Sequence, residues 1–389
     1  MSRLIPYGKQ DLSESDIQAV VQTLKSDWLT QGPAIESFER AVAAYCGATY
    51  AVAVSNATAA LHIACLAAGL SEGDSLWTSP NSFVASANCG LYCGAQVDFV
   101  DIDPKTYNLS AKVLEEKLIE AERLGKLPKV IIPVHFSGQS CEMDRISALA
   151  KKYNITLIED ASHAIGGSYL THKIGSCTFS DMTVFSFHPV KVITTGEGGM
   201  VLTNSKTLYE LLLRLRSHGI TRDPAQMMGD TQGPWYYEQV ELGFNYRMTD
   251  IQASLGESQL SRLDLFVQRR HQLARQYHDM LQNLPITLPW QHPDTYSALH
   301  LFVIRLQLSK IKKSRKEVFE ALRAAGIGVN VHYIPIHVQP YYKNLGFKVG
   351  DFIHAEEYYE EAISLPMYFG LSDEDQDFVI ETLRRTLVS

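Results

Sequence analysis

The chain has 389 residues, 46% of them hydrophobic and 20% charged, enough for a large core and for two domains. A net charge of −8 argues against a nucleic-acid partner, and no Lys/Arg run is long enough for a polybasic membrane arm; "KIKKSRK" at 310–316 reads as a solvated helix start. "MSRLIPYGKQ" has no apolar signal segment, the apolar stretch 51–70 is interrupted by Ser55, Asn56, Thr58 and His62, and the six cysteines include no C-x-x-C pair. A cytoplasmic protein with reduced core thiols, no membrane contact and no metal site is expected.

Residues 14–25 and 34–46 read as helices, "YAVAVSN" (50–56) as a strand, and "ATAALHIACLAAGL" (57–70) as an alanine-rich helix closing at Gly69. Strands at 75–80, 96–102, 129–136 and 155–160 then alternate with helices at 81–93, 110–124 and 142–153. "MTVFSF" (182–187) and "GGMVLTN" (198–204) read as strands, followed by a helix at 206–217. This alternation predicts an α/β fold with a mostly parallel sheet covered on both faces, and ligands outside the carboxyl ends of its strands. From about 250 one long helical stretch runs to 284; "SALHLFVIRLQL", a helix near 314–325, "VNVHYIPIH" and a C-terminal helix follow. The expected organisation is a large domain over 1–250 with an N-terminal arm, and a smaller α+β domain over 251–389.

Three features converge at the expected ligand edge. "LIED" ends at Asp160, "FSFHPVKVITTGEGG" carries Ser186 and Lys191, and "SNATAAL" puts Ala57 and Thr58 at a helix start. Taken singly, each has an ordinary reading: Asp160 as a turn residue, Thr58 as a cap, Lys191 as a solvated loop lysine, the glycines as a tight turn. Together they are the group types a pyridoxal phosphate (PLP) site needs. Those are an amine for the aldehyde, a carboxylate for the pyridine nitrogen, free helix N–H groups for the phosphate, and a flat apolar side chain, for which Phe83 is the candidate. "GEGG" does not follow a first strand and so is not a dinucleotide fingerprint.

"EDASHAIG", "FSFHPVKVITTGEGGMVLTN", "LRSHGI", "GFNYRMTDIQASLGESQL" and "VHYIPIH" together resemble the sugar aminotransferases of the DegT/DnrJ/EryC1/StrS family, over nearly the whole chain. The resemblance implies a fold-type I PLP-dependent aminotransferase acting on a nucleotide-linked ketosugar with L-glutamate as amino donor. It implies Lys191 as the Schiff-base lysine, Asp160 as the partner of the pyridine nitrogen, Ala57, Thr58 and Ser186 as phosphate and cofactor contacts, and Phe83 as the ring-stacking residue. It further implies that Asn245 and Arg247 reach the neighbouring subunit's site, hence a homodimer with shared active sites. Tyr7, the stretch Asp27, Trp28, Leu29, Thr30, and the stretch Asn330, Val331, His332 are implied near the sugar nucleotide.

His163 stands where many relatives carry glutamine. With "SHA", "RSHGI" and "HYIPIH" it points to the pseudaminic-acid branch, whose substrate is a UDP-linked 4-keto-6-deoxy-N-acetylhexosamine. A dTDP- or GDP-linked ketosugar, or a UDP-bacillosamine type, is the alternative, and a non-catalytic PLP-fold regulator a more distant one. Sister enzymes that dehydrate sugars carry histidine in place of the lysine, so Lys191 favours transamination. His188 is expected to be packed rather than catalytic.

Overall fold

A computed structural model describes residues 4–388. Helices α1 (Glu14–Leu24) and α2 (Pro33–Cys46) lead in. Strands β1 (Tyr50–Val54), β2 (Ser75–Thr78), β3 (Gln96–Phe99), β4 (Val130–Ile132) and β5 (Thr156–Asp160) alternate with α3 (Ala57–Ala67), α4 (Ala85–Tyr92), α5 (Ala111–Leu124) and α6 (Met143–Tyr153). A short hairpin, β6 (Ser168–Tyr169) and β7 (His172–Lys173), precedes β8 (Met182–Ser186), β9 (Gly199–Thr203) and α7 (Lys206–Arg216).

The seven-stranded sheet has the order β1-β9-β8-β5-β4-β2-β3. Only β9 runs against its neighbours β1 and β8; the pairings from β8 through β5, β4 and β2 to β3 are parallel. Every residue of β8 and β9 is buried, as expected of strands covered on both faces. Parallel strands point their carboxyl ends the same way, so Asp160 and Ser186 finish side by side, each the last residue of its strand.

The expected helix at 81–93 starts only at Ala85. Before it, Asn81 is held in a turn: its N–H donates to Ser79 Oγ and its amide to the Tyr107 carbonyl. The single helix expected from 250 is two, α8 (Asp250–Leu260) and α9 (Leu263–Leu281). At the break, Arg262 turns back to pair with Asp11 and Asp16, while α8 packs on α1 and α2.

The C-terminal part builds a second core from α9, strands Ile286–Thr287, Phe302–Leu306 and Ala362–Leu365, and helices Arg315–Ala324 and Asp373–Val388. "VNVHYIPIH" is not a strand: it makes one bridge, Asn330 to Ser364. The Val331 N–H turns to Asn330 Oδ1, and two further backbone donors reach the large unit, Ile336 to the Pro80 carbonyl and Tyr333 to Asn81 Oδ1. The N-terminal arm docks on this second core, with Ile5 exchanging backbone hydrogen bonds with Gly326 and Gly328. Among the described residues no helix is long and apolar enough to cross a membrane, and no side-chain cluster suits a metal ion.

Candidate active site

A cavity of about 780 Å³ opens at the carboxyl edge of the sheet. The large unit supplies Ala57, Thr58, Phe83, Asp160, His163, Ser186 and Lys191; Tyr7 enters from the arm, and Asn330, Val331 and His332 from the C-terminal part.

Asp160 is buried and both its oxygens accept hydrogen bonds. Ser86 Oγ donates to Oδ2 at 2.7 Å, and the Ser162 N–H to Oδ1 at 3.1 Å. Ser86 has only one proton, so Ser82 Oγ, 2.7 Å away, donates to it in turn. The serine relay thus delivers a donor to Oδ2 and the Ser162 backbone a donor to Oδ1.

Lys191 lies in the loop between β8 and β9. Thr194 Oγ1 and the Thr195 N–H both donate to the Phe187 carbonyl, the Gly196 N–H donates to Thr194 Oγ1, and Gly196 takes the left-handed φ of 82°. The Thr-Thr-Gly run thus satisfies its own backbone and holds the lysine over the sheet edge. Burial lowers the Lys191 pKa to about 8, against the opposing pull of Asp160. Relative to an ordinary lysine, that raises the fraction of neutral amine at pH 7 by about two orders of magnitude.

Asn56 caps α3 by accepting the Ala59 N–H at 2.9 Å, and helix geometry leaves the N–H groups of Ala57 and Thr58 without intrahelical partners. β9 passes directly beneath: a Cβ at Gly199 would stand 2.6 Å from the Ala57 nitrogen. Only glycine lets strand and helix start approach so closely.

His163 accepts the Ser137 N–H on Nδ1 at 3.2 Å. Its Nε2 therefore carries the ring proton and donates it to Tyr333 Oη, also at 3.2 Å. Burial, then Lys191 and His332, hold its pKa well below the usual histidine range. His300, its ring tilted at 42° and 4.5 Å from that of His163, is lowered in the same way, and burial then Lys191 bring His332 down to about 3. At neutral pH these three buried imidazoles are therefore neutral beside the Lys191 amine and the Asp160 carboxylate. Asn330 approaches His332 Nε2 at 3.3 Å, Ser364 fixes His332 Nδ1 at 2.7 Å, and the Tyr7 ring lies 5.5 Å from that of His332. Phe83 is 59% exposed, its ring 6.4 Å from that of Tyr333.

Other expected residues lie outside this cavity. Asp27, Trp28, Leu29 and Thr30 are exposed beyond α1, while Asn245 bridges Ser217 and Arg247 bridges Val54. Thr30 bridges Thr249, and the Asp250 N–H donates to the Leu29 carbonyl, so the 27–30 stretch pairs with the chain just after Arg247. His188 is not packed: it stands at the cavity rim, about half exposed, with Glu197 4.0 Å away, because the chain has already left β8. Tyr333, His300, Ser82 and Ser86 are site residues that sequence reasoning missed. Ser86 had a faint signal, three residues after Phe83 on an expected helix; Tyr333 and His300 had none.

The residues present fit PLP: an amine of lowered pKa, an anionic carboxylate and an open helix start face one space. Comparison with known proteins agrees. The model of the DegT/DnrJ/EryC1/StrS aminotransferase family matches residues 10–384. The chain is 40% identical over 386 residues to the spore coat polysaccharide biosynthesis protein SpsC of Bacillus subtilis, covering 98% of this chain and 97% of that protein. It is 38% identical over 382 residues to the UDP-4-amino-4,6-dideoxy-N-acetyl-beta-L-altrosamine transaminase of Campylobacter jejuni, covering 98% and 96%. The fold matches Helicobacter pylori PseC, an aminotransferase involved in the biosynthesis of pseudoaminic acid, with a TM-score of 0.89 at 31% identity over 99% and 100% of the two chains. It also matches the PLP form of the putative sugar aminotransferase Spr1654 from Streptococcus pneumoniae, with a TM-score of 0.88 at 30% identity over 99% of each. The chain belongs to the DegT/DnrJ/EryC1/StrS aminotransferase family, a PLP-dependent family of α/β fold.

Proposed function

We propose that this aminotransferase moves an amino group from L-glutamate to C4 of a UDP-linked 4-keto-6-deoxy-N-acetylhexosamine, giving UDP-4-amino-4,6-dideoxy-N-acetyl-β-L-altrosamine. The observation that carries the chemistry is the Lys191 amine of lowered pKa in one cavity with the doubly hydrogen-bonded Asp160. The substrate reading rests on His163, on "HYIPIH", and on the likeness to the Campylobacter enzyme and to PseC. Likeness to SpsC at 40% keeps another nucleotide ketosugar as the second reading.

Lys191 and Asp160 would hold the two ends of the cofactor's ring system, with Ala57, Thr58 and Ser186 at its phosphate and Phe83 on its face. Bound there, PLP supplies an electron-withdrawing ring that acidifies a carbon joined to the transferred nitrogen. Lys191 takes the α-proton of glutamate and, in the second half, delivers a proton to C4 of the sugar. Asp160 keeps its negative charge and so favours a protonated pyridine nitrogen. His163, neutral and tautomerically fixed, turns the Tyr333 oxygen into an acceptor for its own N–H. That leaves the Tyr333 hydroxyl proton free for another acceptor.

Residues 1–250 are read as the cofactor-holding unit, and 251–389 as the smaller unit that contributes Asn330 to Tyr333. Asp27 to Thr30, Asn245 and Arg247 are assigned to the site of a second copy in a homodimer, with Arg247 a candidate for the glutamate carboxylate, which its fork fits. A cytoplasmic enzyme is inferred. The test is turnover with L-glutamate against matched UDP-, dTDP- and GDP-4-ketosugars, followed by 2-oxoglutarate release and product mass. Preference for the UDP-N-acetyl substrate is expected; turnover confined to a dTDP or GDP sugar would overturn the substrate assignment.

A further inference from the structure

α9 belongs to both cores of the molecule. Leu263, Phe266 and Val267 pack in the core that also holds Phe187, Val192 and Ile193 around the Lys191 loop. Leu273, Tyr277 and Leu281 pack in the second core. Arg270 stands at the seam between them, only 3% exposed. Its Nη1 donates to the carbonyls of Leu299 at 3.2 Å, His300 at 3.0 Å and Met367 at 2.9 Å. These carbonyls come from two segments, one leading into the strand Phe302–Leu306 and one leaving the strand Ala362–Leu365. Burial lowers the guanidinium pKa to about 10, which still leaves it a cation at neutral pH.

Each segment held in this way carries on to the cavity wall. The Met367 N–H donates to the Tyr7 carbonyl at 3.0 Å, so Met367 joins Arg270 to the arm residue in the cavity. His300 is itself in the wall, its ring 4.5 Å from that of His163. Leu299 and its neighbours dock on the turn at Ser137 and Gly138. The Ala298 N–H donates to the Gly138 carbonyl at 3.0 Å, and Ser137 Oγ to the Leu301 carbonyl at 2.7 Å. Ser137 in turn gives its N–H to His163 Nδ1. The fit is tight: a Cβ at Gly138 would stand 2.8 Å from the Leu299 nitrogen and 3.0 Å from the His163 carbonyl oxygen. Ser137 and Leu299 both take a left-handed φ, 61° and 47°, which residues with a Cβ keep only where the surroundings hold them. The bond from Arg270 to the Leu299 carbonyl is one such hold.

We propose that Arg270 is a positioning residue for the substrate side of the cavity. Through three backbone carbonyls it sets the places of Tyr7, His300 and, by way of Ser137, His163. A guanidinium suits this task, because its planar head is fixed by the carbonyls it meets, whereas a lysine ammonium is a point charge on a flexible stem. None of these bonds reaches Asp160, Ser86 or the start of α3, so the groups that would hold the cofactor keep their geometry when Arg270 is replaced. The kinetic side of the inference rests on the aminotransferase reading; the geometric side does not.

The test compares the PLP-loaded protein with Arg270→Met and Arg270→Lys. Arg270→Met removes all three bonds with little loss of volume; Arg270→Lys keeps the charge and serves where the first variant fails to fold. Nitrogen-15 spectra of histidine-labelled protein should show the His163 and His300 signals shifted. Cofactor titration should leave PLP affinity close to that of the wild type. KM for the nucleotide ketosugar that the wild type accepts should rise about tenfold or more, since a misplacement of about 1 Å can cost on the order of a hundredfold. A residue that only staples the fold would lower the melting temperature and leave the histidine signals and KM of the folded protein unchanged. That result, or a loss of PLP affinity as large as the rise in KM, would overturn the proposal. If the wild type accepts no ketosugar, the aminotransferase reading fails, while the histidine signals still decide the role of Arg270.

Discussion

Ser86 Oγ donates to Asp160 Oδ2 over 2.7 Å, with both residues buried. The helix after Phe83 thus holds the carboxylate that would face the cofactor ring. A hydrogen bond to a charged group contributes about 1.5–3 kcal/mol, so Ser86→Ala should lower turnover roughly tenfold or more while the fold persists. Asp160→Ala should abolish turnover. Steady-state rates with circular dichroism as the fold control check both.

Gly199 and Ala57 make a second close contact. Gly199→Ala would set its Cβ 2.6 Å from the Ala57 nitrogen and drive β9 and the start of α3 apart. Such overpacking costs about 1–3 kcal/mol. A lower melting temperature and weaker PLP binding are expected together, measured by calorimetry and by cofactor titration.

The lowered pKa of Lys191 fixes the sign of a pH effect on the cofactor-free protein. Below about pH 8 the amine is charged in the folded and the unfolded chain, and burying that charge costs stability. Between about 8 and 10.5 the unfolded chain binds the extra proton, so stability rises with pH. Lys191→Met should therefore be the more stable protein at pH 7, with the gap narrowing as pH climbs toward 10. Urea midpoints at three pH values check this.

His163 should stay neutral from pH 5 to 9 with its proton on Nε2, since Ser137 occupies Nδ1 and burial disfavours the charge. Nitrogen-15 NMR of histidine-labelled protein reads the tautomer directly. Tyr333→Phe should leave that tautomer without its acceptor and shift the signal.

If the two surface sets serve a partner's site, Lys191→Ala and Arg247→Ala homodimers should each be inactive. Mixing them with subunit exchange should restore up to about a quarter of wild-type activity per subunit, the share expected for one intact site in half of randomly paired dimers. No recovery despite verified exchange would argue that both residues serve the same chain's site.

Strand ends and helix starts were legible in the sequence because they follow from local pattern. Asp160 and Ser186 end apolar runs, Ala57 and Thr58 follow a capping Asn56, and Lys191 sits in a turn rich in Thr and Gly. Contacts made by packing between distant segments were not. Ser86 reaches Asp160 across 74 positions and Tyr333 reaches His163 across 170, and no periodicity records such meetings. "VNVHYIPIH" has the composition of a strand, yet tertiary hydrogen bonds to Pro80 and Asn81 override it.

The most direct test of the central claim is the visible absorption spectrum of the purified protein with PLP, before and after L-glutamate, alongside Lys191→Ala. A yellow band that depends on Lys191 and bleaches with glutamate is predicted. A band unchanged by glutamate would contradict the donor assignment, and the same band in Lys191→Ala would contradict the role given to the lysine.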